Sequence, residues 1–219
     1  MKSILLSTLA ALVLATAAGA SEVGHDLSQT VAPAPVADMS GFGVGVGVST
    51  LGLTVEPTYR INDSFGVRMP IGGGSFSDTF EEDGDSYTGS VESFGGGVLV
   101  DYYTGLGGLR LSGGAFHTDY KADLAASTTI NGMTGDIAVA VKQRENWAPS
   151  AALGYDMKLG RRGVLSADAG AIFGKGFDVT GSSRSFSQAD VDAELADLSE
   201  TAGDLKVLPY VKLTVGLSF

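Results

Sequence analysis

Hydrophobic and polar side chains alternate over residues 207–219, with Leu208 as an apolar residue at a polar position. A strand has a two-residue period, so the pattern predicts one strand with an apolar face and a polar face. The apolar face carries Val207, Pro209, Val211, Leu213, Val215, Leu217 and Phe219. The polar face carries Lys206, Tyr210, Lys212, Thr214 and Ser218. An apolar outer face opposite a polar inner face is typical of a barrel wall that faces lipid outward.

The same parity recurs along most of the chain, which favours a membrane barrel over a water-soluble sandwich of similar composition. Eight segments follow it, separated by Gly, Asn, Asp and Arg turns. The predicted strands cover residues 42–48, 51–60, 65–71, 94–102, 109–115, 147–156, 165–173 and 207–219. Outward aromatic residues near both ends of two strands (Phe94, Tyr102, Trp147 and Tyr155) match the interfacial girdles of such barrels.

The connections between these strands alternate between short and long after the first. With Phe219 at the periplasmic end, parity places the long polar stretches 72–87, 119–145 and 181–204 outside the cell, as loops, although the second could lengthen its flanking strands. The sequence therefore predicts an all-β fold, an eight-stranded antiparallel transmembrane up-and-down β-barrel. A soluble periplasmic barrel is the alternative.

A short helix is predicted in the last extracellular loop. Ser187 and Asp190 resemble a helix-capping pair, and Val191, Leu195 and Leu198 then share one helical face. We expect this apolar stripe to pack on the barrel rim, with a groove of a partner as the alternative.

The amino-terminal region predicts export. Met1-Lys2 precedes an apolar run that ends at Ala18-Gly19-Ala20, so residues 1–20 are predicted to be a cleaved signal peptide, 21–39 a flexible periplasmic segment and 40–219 the outer-membrane barrel. The chain has no cysteine, which excludes disulfides and thiolate metal sites.

Charge is unevenly distributed in a chain of 219 residues with 32 glycines and a net charge of −11. Carboxylates cluster at 78–85 and 190–204, in two predicted extracellular loops. Beside anionic lipopolysaccharide these loops could share bridging divalent cations, but no dedicated calcium loop, metal site or cofactor site is predicted. The scattered Lys and Arg residues form no phosphate-neutralising stripe, so a nucleic-acid partner is not expected.

The predicted polar face of the barrel carries eight charged residues. They are Glu56, Arg60, Arg68, Asp101, Arg110, Asp156, Asp168 and Lys212. Because isolated charges away from water are unfavourable, strand order predicts the pairs Glu56 with Arg68, Asp101 with Arg110, and Asp168 with Lys212. A static charge plug is the first interpretation. The many small inward residues leave a narrow channel as the alternative.

Enzymatic function is not predicted. The two histidines are His25, in the leader, and His117, which faces outward at a strand end. Ser185 and Ser187 lack any spacing that would indicate a nucleophile, and residues 170–175 are one residue short of a phosphate-binding loop.

Four segments carry a family resemblance: Ser49-Thr50-Leu51-Gly52-Leu53, Phe65–Arg68, Phe116–Leu124, and Leu208-Pro209-Tyr210 to Phe219. In these the chain resembles the small eight-stranded outer-membrane barrels of Gram-negative bacteria, which include OmpA-type barrel domains and OmpW-like, porin-like proteins. The resemblance implies an outer-membrane location and, from its OmpW-like side, passage of small apolar solutes as the channel alternative.

We therefore expect an integral outer-membrane barrel with a structural or surface-interaction role and a charge-plugged lumen. Val215, Leu217 and Phe219 are the expected signal for the outer-membrane assembly machinery. The expected partners are that machinery, membrane lipid and lipopolysaccharide, and the expected state is a monomer.

Overall fold

The computed structural model describes residues 41–82, 85–130 and 133–219. These contain eleven strands and one helix. The strands are β1 Gly41–Ser49, β2 Gly52–Arg60, β3 Phe65–Arg68, β4 Ile71–Glu82, β5 Asp85–Tyr103, β6 Leu109–Ile130, β7 Met133–Gln143, β8 Trp147–Leu159, β9 Gly163–Phe173, β10 Phe177–Ser183 and β11 Val207–Ser218, and the helix is α1 Gln188–Asp204. The predicted signal peptide and periplasmic segment, with His25, lie outside the described residues.

Eight antiparallel strands, with β3 and β4 counted together as one, close into a ring, which confirms the predicted barrel. We call each of these eight places in the ring a wall position. Their order is β1, β2, β3 with β4, β5, β6, β8, β9 and β11, and β11 pairs back with β1. β3 and β4 form one wall position that is interrupted at Met69 and Pro70. Proline cannot donate to a ladder, but its carbonyl accepts a 2.9 Å hydrogen bond from the Gly97 amide, so β5 spans the break.

The two ends of the barrel differ. The base is the end where β1 begins and β11 finishes, and it carries the turns at 61–64, 104–108 and 160–162. The crown is the opposite end, where β1 and β2 are joined by Thr50 and Leu51 and the longer strands extend past the ring. The crown consists of upper β4, β5 and β6 together with β7, β10 and α1.

The crown corrects the prediction of three long loops, although the alternative for residues 119–145 holds in part, because β6 is lengthened through Ile130. Residues 72–82 and 85–87 continue the β4–β5 hairpin, 119–130 and 133–143 form the β6–β7 hairpin, and β10 pairs with β7. Above the apolar band of the ring, the outer face no longer requires apolar residues. The alternation of apolar outer and polar inner residues therefore ends there. The Ser, Thr, Val and Phe residues of these stretches remain compatible with strands.

The predicted helix is confirmed as α1. Ser187 is its N-cap, and the Ser187 side chain accepts a hydrogen bond from the Asp190 amide. Val191, Leu195 and Leu198 are all buried. The helix packs on the inner face of β10, where an added Cβ at Gly181 would lie 2.2 Å from Leu195 Cδ1. The absence of a side chain at Gly181 therefore lets the helix approach the sheet.

We expect Gly181→Ala to loosen α1 without disturbing the ring. The new methyl group would lie 2.2 Å from Leu195 Cδ1 and 2.7 Å from Val191 Cγ1, both on buried side chains, so the docking of α1 should weaken by about 1–3 kcal/mol, the usual range of overpacking effects. Hydrogen exchange of the α1 amides in folded protein measures this opening. Thr180→Ala, on the exposed outer face of the same strand, is the control. Equal exchange rates in Gly181→Ala and wild type would contradict the packing argument.

The outer face of the ring is apolar and exposed along every wall position. Leu53 is 75 % exposed, Val46 58 % and Leu217 53 %. Aromatic side chains mark both ends of this band, with Phe94 and Trp147 toward the crown and Tyr59, Tyr102 and Phe219 toward the base. Within the described residues, no helix is long and apolar enough to cross a membrane.

Candidate functional site

Seven charged side chains meet inside the ring and form what we call the charge layer. They come from seven wall positions and are all buried: Glu56, Arg68, Asp101, Arg110, Asp156, Asp168 and Lys212. The eighth position, β1, presents Gly43, Gly45 and Gly47 at its inward parity. The residue identities follow from strand parity, because inward residues alternate with the exposed apolar ones.

Asp168 is the centre of the charge layer. Its two oxygens accept hydrogen bonds from two nitrogens of Arg68, both at 2.8 Å. Arg110 Nη2 lies 2.8 Å from each of the same oxygens, and Lys212 Nζ lies 3.0 Å from Oδ2. One carboxylate therefore joins three cations that come from β3, β6 and β11. Bidentate contacts of this kind fix guanidinium orientation as well as charge.

All three pairs expected from strand order are present. Arg68 Nη1 lies 3.5 Å from Glu56, Arg110 Nε lies 3.8 Å from Asp101, and Lys212 lies 3.0 Å from Asp168. The shorter contacts connect different partners. Arg68 Nε donates to Asp101 at 2.9 Å, Lys212 bonds Glu56, and Arg110 bonds Asp156. Each cation thus contacts at least two carboxylates.

Two serines complete the charge layer, and neither was predicted, because a serine carries no charge. Ser112 accepts from Arg68 Nη2 at 2.8 Å and donates to Asp101 at 2.6 Å. Ser166 donates to Asp156. Ser112 lies two residues from Arg110 on β6, and Ser166 lies two residues from Asp168 on β9. Strand parity therefore places both serines on the inward face, and this could have predicted them.

Arg60 does not join the charge layer, contrary to the prediction. It is the last residue of β2 and lies at the base, where its guanidinium carbon sits 3.9 Å from the centroid of the Tyr103 ring. It also donates to the carbonyls of Asn62 and Asp63. A cation–π contact and local carbonyls at the strand end hold it there. The charge layer therefore has four carboxylates and three cations, not the predicted four of each.

Gly154 makes the central contact possible. In the wall it stands opposite Arg110 on one side and opposite Asp168 on the other. An added Cβ would lie 2.6 Å from Asp168 Oδ1 and 2.7 Å from Arg110 Nε. The Arg110–Asp168 ion pair thus occupies the space inside the ring that a side chain at position 154 would need.

An apolar layer lies directly on the crown side of the charge layer. Its members are the buried side chains of Leu51, Leu99, Phe116, Ile172, Leu208 and Tyr210. The rings of Phe116 and Tyr210 pack with centroids 5.0 Å apart. Charged groups therefore face the base and apolar groups face the crown.

The β1–β2 connection folds over the apolar layer at the crown side. Leu51 is fully buried. Its carbonyl accepts from Ser93 Oγ at 3.0 Å, and the carbonyl of Thr50 accepts from Tyr120 Oη at 3.5 Å. Side chains of β5 and β6 thus hold this short turn against the opposite wall.

On the base side the charge layer borders a small cavity of about 80 Å³ whose lining is partly polar and partly apolar. The side chains of Thr58, Tyr103, Asp156 and Ser166 contribute to its lining, and the inward glycines of β1 leave its volume open. Arg110 Nε, buried and without a hydrogen-bond partner among the described residues, also borders it. A partly polar cavity of this size suits a few water molecules.

Comparison with known proteins finds the same architecture in two solved structures. The crystal structure of Acinetobacter baumannii CarO aligns with a TM-score of 0.63 and 17% identity, over 81% of this chain and 97% of that chain. The crystal structure of Acinetobacter baumannii CarO2 aligns with a TM-score of 0.65 and 19% identity, over 83% and 99%. This chain has a CarO-like barrel fold. No protein-family model matches the chain, and no curated protein sequence matches it.

At this level of identity the likeness to CarO concerns the fold alone. The resemblance to OmpA-type and OmpW-like barrels stays a prediction. In the described part of the CarO-like barrel, no group of three or more His, Cys, Asp or Glu side chains is arranged to hold a metal ion. The chemistry that the interior supports is electrostatic: a cross-linked set of buried charges under an apolar layer.

Proposed function

We propose that this chain is an integral outer-membrane β-barrel with a structural or surface-interaction role and a lumen plugged by its own side chains. The exposed apolar band with aromatic residues at both ends supports residence in a bilayer. Export through the predicted signal peptide fits a bacterial outer membrane.

The charge layer and the apolar layer together carry the proposal of a plugged lumen. Arg68, Arg110 and Lys212 are each at most 2 % exposed and each bonded to carboxylates on other wall positions. Opening a path would separate buried ion pairs, which is strongly unfavourable unless new partners replace them. The apolar layer adds a barrier to ions, because apolar constrictions exclude water.

The test is conductance of the refolded wild-type protein in a planar bilayer, with a heat-dependent shift on a denaturing gel to show that the barrel has formed. We expect no discrete openings from the verified barrel. Phe116→Ala/Tyr210→Ala removes the aromatic pair of the apolar layer and serves as the comparison for a weakened barrier. Discrete openings in wild type that change when Arg68 or Asp168 is neutralised would overturn the plug.

A narrow porin-like channel is the second candidate. The base cavity favours it, since water can reach the charge layer from that end and inward glycines leave room. By the OmpW-like resemblance, small apolar solutes are its proposed cargo.

The remaining parts of the proposal concern partners. Val215 and Leu217 at the end of β11, with Phe219 directly after it, have outward apolar side chains and serve as the signal for the outer-membrane assembly machinery. Lipopolysaccharide surrounds the acidic crown, and the barrel acts as a monomer.

We propose no enzymatic role, since His117 faces outward and packs edge-on against Trp147, with centroids 5.2 Å apart.

A further inference from the structure

The base carries a cationic hairpin that the barrel interior does not use. The end of β8 and the turn that joins it to β9 contain Lys158, Arg161 and Arg162 within five residues and no acidic residue. Arg161 and Arg162 are both exposed, and Lys158 is half-buried. This concentration stands out in a chain whose net charge is −11 and whose crown helix α1 has six carboxylates and no Lys or Arg.

The hairpin is fixed in place and borders the apolar band. Gly160 adopts φ +70° in the turn, and the Arg162 carbonyl accepts a 2.9 Å hydrogen bond from the Ser218 amide of β11. Four exposed outward side chains adjoin the cations: Tyr155, Leu159, Leu217 and Phe219. Aromatic and aliphatic side chains next to Lys and Arg are the arrangement found where a protein meets the headgroup region of a membrane.

From this juxtaposition we propose that the cationic hairpin, residues 158–162 with its adjoining apolar side chains, binds the phosphate headgroups of anionic phospholipids in the periplasmic leaflet. The inference rests on the proposed membrane location. Exposed arginine donates bidentate hydrogen bonds to phosphate oxygens. A carboxyl terminus at Phe219 would subtract one charge and leave the cluster cationic.

The opposite end offers a built-in comparison. At the crown, the cations next to the apolar band are matched by acids: Arg144 Nε lies 2.7 Å from Asp178, and Lys175 Nζ lies 2.5 Å from Glu145. The crown should therefore show no preference for anionic headgroups. A lipid preference confined to the base would identify the hairpin as its source.

Quenching of tryptophan fluorescence by brominated lipids can measure the lipid composition next to each end separately, because Trp147 is the one tryptophan of the chain and lies at the crown. In Y155W/W147F the indole reports the base instead. The probes are vesicles of phosphatidylcholine and phosphatidylglycerol in which one lipid at a time is brominated. Near the base indole we expect at least fivefold enrichment of phosphatidylglycerol, because fivefold corresponds to about 1 kcal/mol, the attraction of a single surface cation, and the cluster stays cationic after the terminal carboxylate is subtracted. High salt should reduce the enrichment.

The variants decide the source of that preference. Arg161→Gln/Arg162→Gln should bring the enrichment close to one, whereas Arg144→Gln/Lys175→Gln, which removes two charges at the crown, should leave it unchanged. Leu159→Trp in the same Trp147→Phe background replaces Y155W if the latter does not form a heat-shiftable barrel. A base ratio near one in the otherwise wild-type barrel overturns the inference, and so does enrichment that survives Arg161→Gln/Arg162→Gln.

Failure of the membrane location has a different signature. Brominated phosphatidylcholine should quench Trp147 in the unmodified barrel, because that side chain is exposed on the apolar band. Absence of that quenching would overturn the proposed function. Quenching of Trp147 without any lipid preference at the base would overturn only the hairpin proposal.

Discussion

Arg68→Met is expected to lower the free energy of unfolding by about 3–5 kcal/mol, the effect typical of breaking a buried ion pair on one side. Arg68 contacts Glu56, Asp101 and Asp168. Methionine keeps much of the buried volume but leaves four carboxylates facing two cations. The loss should appear in urea titrations of the protein in lipid vesicles, followed by the fluorescence of Trp147.

Asp168→Asn is the matched control, and it separates charge balance from position. Asp168 is the geometric centre of the charge layer, yet its neutralisation leaves three carboxylates and three cations. Each cation then keeps another acidic partner: Arg68 keeps Asp101, Arg110 keeps Asp156, and Lys212 keeps Glu56. We therefore expect a smaller loss than for Arg68→Met. If Asp168→Asn is equally or more destabilising, the central geometry rather than the charge balance dominates.

Strand parity was sufficient to predict the ring and seven of the eight inward charges. Its strength is that an apolar outer face requires an apolar side chain at every second position, as at Val211, Leu213 and Val215. Where the outer face is no longer apolar, the two-residue alternation that predicts a strand is lost. β7 and β10 are strands with mixed outer faces, such as Ala138, Ala140 and Lys142 on β7, so periodicity did not predict them as separate strands and left only the alternative that residues 119–145 lengthen their flanking strands.

The centre of the charge layer was beyond strand-order reasoning for a different reason. Arg68 and Asp168 are separated by 100 residues and by several wall positions, and they meet only because a narrow ring brings opposite walls within reach of an arginine. Nearest-neighbour pairing predicted Lys212 with Asp168, which are directly opposite in register. It could not predict contacts across the interior. The prediction for Arg60 was wrong because strand parity indicates which face of the wall a side chain lies on, but not how far along the barrel axis it lies.

Gly154→Ala should destabilise the barrel by about 1–3 kcal/mol, the range for inserting a methyl group into a packed interior. The atoms that it would meet are Asp168 Oδ1 at 2.6 Å and Arg110 Nε at 2.7 Å, and neither can move without lengthening the ion pair between them. Both atoms belong to charged groups that several hydrogen bonds hold in place, since Asp168 accepts from Arg68 and Arg110, and Arg110 also bonds Asp156. The change should be visible in the same urea titration.

Gly113→Ala is the control for the intrinsic effect of replacing a strand glycine. Gly113 lies on β6, faces outward and is exposed, and an added Cβ there would come no closer than 3.9 Å to the Ser150 carbonyl oxygen. Removing a glycine in a strand should stabilise by about 0.5–1 kcal/mol through backbone entropy. Opposite signs for the two Gly→Ala changes would therefore show that Gly154 is kept for the Arg110–Asp168 contact. Stabilisation by Gly154→Ala would mean that the ion pair has room to move, and the interior would then be looser than a plug requires.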